Sequence, residues 1–188
     1  MFANINEKMR KALEAYLSRA HPDESLREFV NGSERLNVWL EIFLLGPIAG
    51  AVGMRNYYLG LTDRRVLFLA LDWWSNKPTD DVSEVLLGRI SEIKYKSGIL
   101  TGKLNLGYGD DVKRRLTIHR RQFENARKFV DTFSILPKPL LTDEEIRGAS
   151  IAEAAYKQEV KDRIGRAIGV LVGLVVLIIL LNLVCANL

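Results

Sequence analysis

The sequence is poor in the residues that do chemistry. Its 188 positions hold one cysteine, Cys185, and two histidines, His21 and His119. A single thiol excludes a disulfide within the chain and a zinc site built from thiolates, which fits a reducing compartment. Cys185 sits in an apolar stretch, where a thiol acts as a small filler. His, Cys and carboxylates form no cluster at metal-ligand spacing, and there is no HExxH. The run GPIAGAVG (46–53) lacks the Lys-Ser/Thr and the strand-helix context of a nucleotide loop. His119 has no nucleophile to serve as a general base. The pairs Asp80-Asp81 and Asp110-Asp111 fall in turn-like stretches, where solvated acids are ordinary. No cofactor, no metal and no catalytic activity is therefore expected. The N-terminal stretch MFANINEKMRKALEAYLSRAHP is broken by charges throughout and is not read as a secretory signal.

Charge is also lacking where it would matter most. From Ala167 to Leu188 there are 22 residues without one charged side chain, and 15 of them are Leu, Ile or Val. A helix of that length covers about 33 Å, enough for a hydrocarbon core of roughly 30 Å. Summed insertion energies favour the bilayer by several kcal/mol, on the order of −0.3 to −0.6 per aliphatic residue. Lys157, Lys161, Arg163 and Arg166 precede the span and no Lys or Arg follows it. Basic flanks stay cytoplasmic. The expectation is a C-terminal anchor in the plasma (inner) membrane, residues 166–188, with everything before it on the cytoplasmic side. Gly165, Gly169 and Gly173 recur every four residues, a small-residue ladder that permits helix–helix packing in lipid or is chance.

The rest of the chain alternates between two periodicities. Ile5, Met9, Leu13, Tyr16 and Leu17 line one face of an amphipathic helix that ends at His21-Pro22. Such a helix can pack on a domain or lie on a bilayer. LREFVN (26–31) is a weak first strand. LNVWLEIFLLGPIAGAVGM (36–54) is apolar but is too short, and too interrupted by Pro47 and its glycines, to span readily. It is expected to be buried, interfacial or, less simply, inserted. NYYLGLTDRRVLFLAL (56–71) reads as a hairpin turning on Thr62-Asp63-Arg64-Arg65, and DWWSNKPTDD (72–81) as a polar loop. Short strands with turn signals follow: SEVLLG, SEIKYK, KLNLGYG and VKRRLTIH, with SGILTG as a glycine turn. Phe123, Ala126, Phe129, Val130 and Phe133 then line a helix over 122–134. Thr142 with Glu145 is a capping box that opens a charged helix.

The passage YYLGLTDRRVLFL, followed by LLGRISEIKYKSGILTGKLNL, a last strand and one closing helix, resembles the bacterial pleckstrin-homology-like families, relatives of PH and GRAM domains. The resemblance covers about residues 26–134 and carries no catalytic motif. It implies a mainly β fold with α: a bent antiparallel sheet or barrel of about seven strands, capped by a C-terminal helix. The N-terminal helix and the transmembrane helix would be additions. The organisation expected is an N-terminal helix (1–22), a PH-like domain (23–135), a linker with a charged helix (136–165) and the anchor (166–188). The long apolar segment before the hairpin departs from the family pattern.

Candidate contact residues come from charge and position. At period two, Lys113, Arg115, Thr117, His119 and Arg121 share one face of the last strand, with Leu116 and Ile118 opposite. A basic strip near the cytoplasmic leaflet meets anionic lipid at short range. Trp73 and Trp74 beside Lys77 suit the headgroup level or burial in the domain. Arg64 and Arg65 are expected on the solvated side of their turn as possible anion contacts. The functional expectation is a non-catalytic, membrane-anchored module that contacts anionic lipid headgroups or a protein partner. The alternative is a scaffold or homo-oligomeric subunit of a membrane complex. Nucleic acid is not expected, because the strip lacks interleaved aromatics and no helix-turn-helix is present.

Overall fold

The computed structural model describes residues 3–35, 54–72 and 74–186. The apolar segment 36–53 and Trp73 lie outside the described residues. By contact, the described chain falls into two units. The larger contains the sheet and runs as far as Ala154; the second contains the helical stretch from Ala155.

The larger unit begins with helix α1 (Ala3–Ala20). The strands are β1 (Glu28–Arg35), β2 (Met54–Leu61), β3 (Arg65–Leu71), β4 (Pro78–Leu86), β5 (Ile90–Lys96), β6 (Thr101–Tyr108) and β7 (Val112–His119). Helix α2 (Phe123–Ile135) follows, then α3 (Asp143–Ala186). The strands form one seven-stranded sheet in the order β4-β3-β2-β1-β7-β6-β5. Every pairing with a described register is antiparallel. This is the bent, open, mainly β architecture expected, with the N-terminal and C-terminal helices in addition. The first strand runs later than its weak alternation suggested, through Arg35. Strand β4 begins at Pro78, inside the stretch read as loop. Proline is tolerated there because it opens an edge strand, where its missing N–H leaves no ladder bond unmade.

Strand β3 shows why RVLFLAL has no polar face. Leu67, Leu69 and Leu71 pack with Tyr58 under Met9, Leu13 and Leu17 of α1. Val66, Phe68 and Ala70 point the other way and are equally buried. A strand covered on both faces reads as a continuous apolar run. The amphipathic helix α1 therefore spends its apolar face on the sheet. On the concave side, Tyr57, Leu59, Phe68, Leu104, Leu106, Leu116 and Ile118 form the interior, with Ala126 and Phe129 of α2 buried among the core residues. Tyr57 meets Phe68 edge-on, their ring centroids 6.0 Å apart.

The capping box is present. The Thr142 N–H donates to Glu145 Oε2 at 2.9 Å, and the Glu145 N–H donates to Thr142 Oγ1 at 3.3 Å. Within the larger unit the first turns of α3 are pinned by Glu153, which pairs with Arg89 at 2.9 Å. Gly109 makes room for that carboxylate. Its φ is +55°, and a Cβ there would lie 2.0 Å from Glu153 Oε2, so both backbone and space demand glycine.

In the second unit α3 continues to Ala186, one 44-residue helix in all. It is the one helix among the described residues long and apolar enough to cross a membrane. Ile168, Val172, Val175, Leu177, Ile178, Ile179 and Leu180 are exposed around its whole circumference. A soluble helix buries its apolar stripe on one side; from Ile168 to Leu180 this one carries no charged side to keep wet.

Candidate functional site

Helix α1 covers the outer face of β2–β4. On the outer face of β5–β7 the side chains stand exposed. Register sets what that face carries. Lys103 pairs with Thr117, Asn105 with Arg115, and Gly107 with Lys113 across β6–β7. On the other side of β6, Lys94 pairs with Asn105 and Lys96 with Lys103. Directly opposed residues point to the same side of a sheet. Lys94, Lys96, Lys103, Lys113 and Arg115 are therefore on one surface, all exposed, with Glu92 as its carboxylate. Glu92 takes Lys94 at 2.8 Å, and Arg115 Nε donates to Asn105 Oδ1 at 3.3 Å. Such exposed contacts restrain side chains only weakly, so the face stays net positive. Its core-facing residues alternate strictly with it: Leu104, Leu106, Leu116 and Ile118 are buried.

The expected strip of Lys113, Arg115 and His119 is thus one third of a wider surface. Lys94 and Lys96, two apart in SEIKYK, and Lys103 at the head of KLNLGYG mark the other two strands, but only strand pairing brings them beside β7. His119 closes the face at the end of β7, opposite Thr101. Its Nδ1 accepts the Arg121 N–H at 3.4 Å, capping the short 3-10 turn Arg120–Gln122. Arg121 is therefore one step off the strand, in that turn. In α2, Lys128 is paired with Glu124 at 2.9 Å.

The remaining expected residues lie elsewhere. Trp74 is 79% exposed in the loop joining β3 to β4, where Asp72 organises the turn by accepting the N–H groups of Trp74 and Ser75. By strand direction that loop lies at the opposite end of the sheet from His119. Arg64 pairs with Glu145 at 2.8 Å. Arg65, expected to be solvated, is held in an ion cluster and is only 15% exposed in its side chain. It meets Glu24 at 2.8 Å and also Glu84, which in turn accepts the Tyr16 hydroxyl at 2.6 Å and contacts His21 Nε2 at 2.8 Å. Thr62 closes the hairpin, its hydroxyl accepting the Arg64 and Arg65 N–H groups at 3.1 and 3.0 Å. Arginine is placed here by neighbouring carboxylates from α1's exit and β4, which no local turn pattern reveals. Gly165, Gly169 and Gly173 have nothing within 4 Å of where a Cβ would stand.

The Glu84 cluster links α1 to the sheet and gives a pH dependence. Burial by itself would raise the Glu84 carboxyl, but hydrogen bonds from Tyr16, His21 and Arg65 outweigh it and hold the group below its ordinary value. A depressed carboxylate contributes stability that is complete above the unfolded-state pKa and is lost as pH falls through the folded one. Burial and the same carboxylate push Tyr16 up to about 12. Glu84→Gln should therefore lower stability at neutral pH by about 2 kcal/mol, and flatten the acid limb of a melting-temperature-against-pH curve. An unchanged acid limb would rule out Glu84 as its source.

A second buried ion pair lies in the interior. Arg114, on the core side of β7, donates from Nε to Glu34 Oε1 at 3.3 Å and from Nη1 to Ser83 Oγ at 3.0 Å. Its guanidinium lies 3.9 Å from the Phe68 ring centroid and 4.8 Å from that of Tyr57. The Tyr57 hydroxyl donates to Glu34 Oε2 at 3.3 Å. Burial pushes the Tyr108 hydroxyl up to about 12, against the pull of the Arg114 charge. The arrangement is a buried structural knot of ion pair, hydrogen bonds and aromatic rings. Among the described residues no group of three His, Cys, Asp or Glu side chains is placed to hold a metal ion.

No protein-family model matches the chain, and no curated protein matches it. Solved structures to which the chain is similar include the C-terminal domain of an unknown protein from Leishmania infantum. That domain is 11% identical with a TM-score of 0.43, covering 65% of this chain and 98% of that one. Another is the hSac2 domain from the human phosphoinositide phosphatase Sac2, at 12% identity and a TM-score of 0.41, covering 69% of this chain and 77% of that one.

Proposed function

We propose that the protein is a non-catalytic, membrane-anchored binding module of pleckstrin-homology-like type, whose β5–β7 face contacts anionic lipid headgroups at the cytoplasmic side of the membrane. The observation that carries this reading is the uncovered basic sheet face: Lys94, Lys96, Lys103, Lys113 and Arg115 in register, with one carboxylate among them. A cation near an anionic leaflet gains about 1 kcal/mol. A domain tethered by its own helix has no translational entropy left to lose, so a few such contacts suffice to hold it down. Salt must weaken the contact, because charges more than roughly 8 Å apart are screened at physiological ionic strength.

The test uses the full chain reconstituted in lipid nanodiscs. Acetylation of lysines should slow several-fold at Lys94, Lys96, Lys103 and Lys113 when phosphatidylglycerol is added to phosphatidylcholine discs, and recover in high salt. Lys8 and Lys11, on the exposed side of α1, serve as the reference. Equal rates in both discs would remove the lipid reading. Protection seen only in native membranes would assign the face to a protein partner.

A further inference from the structure

The turn SGILTG is absorbed neither by the core nor by the basic face. Its central residues, Ile99 and Leu100, are 87% and 69% exposed at the tip of the β5–β6 hairpin. Tight turns favour Gly, Asn, Asp and Ser, which tolerate the backbone and welcome water. Two aliphatic side chains at such a tip cost solvation and gain nothing from the fold. They are also held up rather than left loose. The Gly98 N–H donates to the Thr101 carbonyl at 3.1 Å, and the Arg120 N–H donates to the Leu100 carbonyl at 3.1 Å. Gly98 has no room for a side chain, since a Cβ would sit 2.5 Å from that Thr101 oxygen. Beneath the tip the Tyr95 ring lies across Gly102, where a Cβ would be 2.6 Å from the ring edge, and meets Phe123 edge-on at 5.9 Å. The ring that could have sheltered the tip is spent on the other side of the sheet.

Basic side chains surround this tip. Lys96 and Lys103 are paired across the strands just before the turn. His119 stands opposite Thr101, and Arg120, exposed, is joined to the tip by its backbone. A protruding aliphatic pair ringed by positive side chains matches the layering of an anionic leaflet, with phosphates outside and acyl chains beneath.

We infer that Ile99 and Leu100 form a membrane-inserting tip that enters the headgroup–acyl boundary of an anionic leaflet while Lys96, Lys103 and Arg120 hold the phosphates around it. This rests on the lipid reading of the β5–β7 face and adds to it a direction: the hairpin tip goes in first. The class of ligand is an anionic glycerophospholipid surface, recognised by depth and charge rather than by a single headgroup in a pocket.

Because the chain has one cysteine, Cys185→Ser with Ile99→Cys allows a single environment-sensitive NBD label in the full-length protein. In nanodiscs containing phosphatidylglycerol the label should shift to the blue and be quenched by brominated acyl chains, and in phosphatidylcholine discs it should do neither. Ile99→Ser with Leu100→Ser, both at exposed positions, should lower the docking constant read from lysine protection roughly three- to tenfold. Lysine protection in anionic discs without a shift at position 99 overturns the insertion and leaves the lipid reading standing. Neither signal in anionic discs overturns both. A blue shift without quenching by brominated lipid places the tip in a protein contact and overturns the insertion.

Discussion

Arg114→Met should cost about 3–5 kcal/mol of folding stability, the range for breaking a buried ion pair. Its side chain is 1% exposed and that of Glu34 is 5% exposed. Methionine leaves the Glu34 carboxylate inside the sheet without its arginine, although the Tyr57 hydroxyl still donates to it, and it forfeits the stacking of the guanidinium on Phe68. A domain of this size has roughly 5–15 kcal/mol in total, so the variant should unfold at markedly lower denaturant. Adding Glu34→Gln to Arg114→Met should recover much of the loss, because a neutral amide carries no buried charge. The measurement is the midpoint of urea unfolding in mild detergent, followed by the β-sheet signal. An unchanged midpoint for the single variant would show that Glu34 is neutral or hydrated in the folded protein.

The second large effect concerns binding. Lys103→Gln, Lys113→Gln and Arg115→Gln together remove three cations from the β5–β7 face. At about 1 kcal/mol each the docking constant should fall on the order of 100-fold. Lys94 and Lys96 remain as reporters, and their acetylation in anionic discs should rise to the rate seen in neutral ones. The exposed positions make the fold indifferent to the change, so urea midpoints should stay within about 0.5 kcal/mol of the parent. Arg64→Gln tests the complementary point. Its partner is Glu145, so its removal should leave docking unchanged. Docking that survives the triple replacement would move the contact away from this face.

The sequence and the structure part company at particular residues, for a common reason. Period two along VKRRLTIH correctly turns Lys113 and Arg115 outward and Leu116 and Ile118 inward. The same period turns Arg114 inward, a placement that makes sense only once Glu34 and Ser83 are brought in from β1 and β4. Arg65 is the same case. A turn motif suggested solvent, and Glu24 with Glu84 made it a structural ion. Lys94 and Lys96 are legible as alternating lysines and Lys103 as a lone strand lysine, but their membership of one surface depends on the β5–β6 and β6–β7 registers. The amphipathic α1 had two possible beds, sheet or bilayer, and the leucines of β3 chose the sheet.

Local periodicity and composition were enough to determine the elements and the apolar helix: strands repeat every two residues, helices every 3.6, and a 22-residue uncharged run makes a helix long and apolar enough to cross a membrane. The tertiary structure decided which charges face one another, which are buried, and which face of the sheet stays bare. Those are relations between residues far apart in the chain, 80 positions in the case of Arg114 and Glu34. No short-range pattern encodes them, because electrostatic partners are chosen by proximity in space and only the packed sheet creates that proximity.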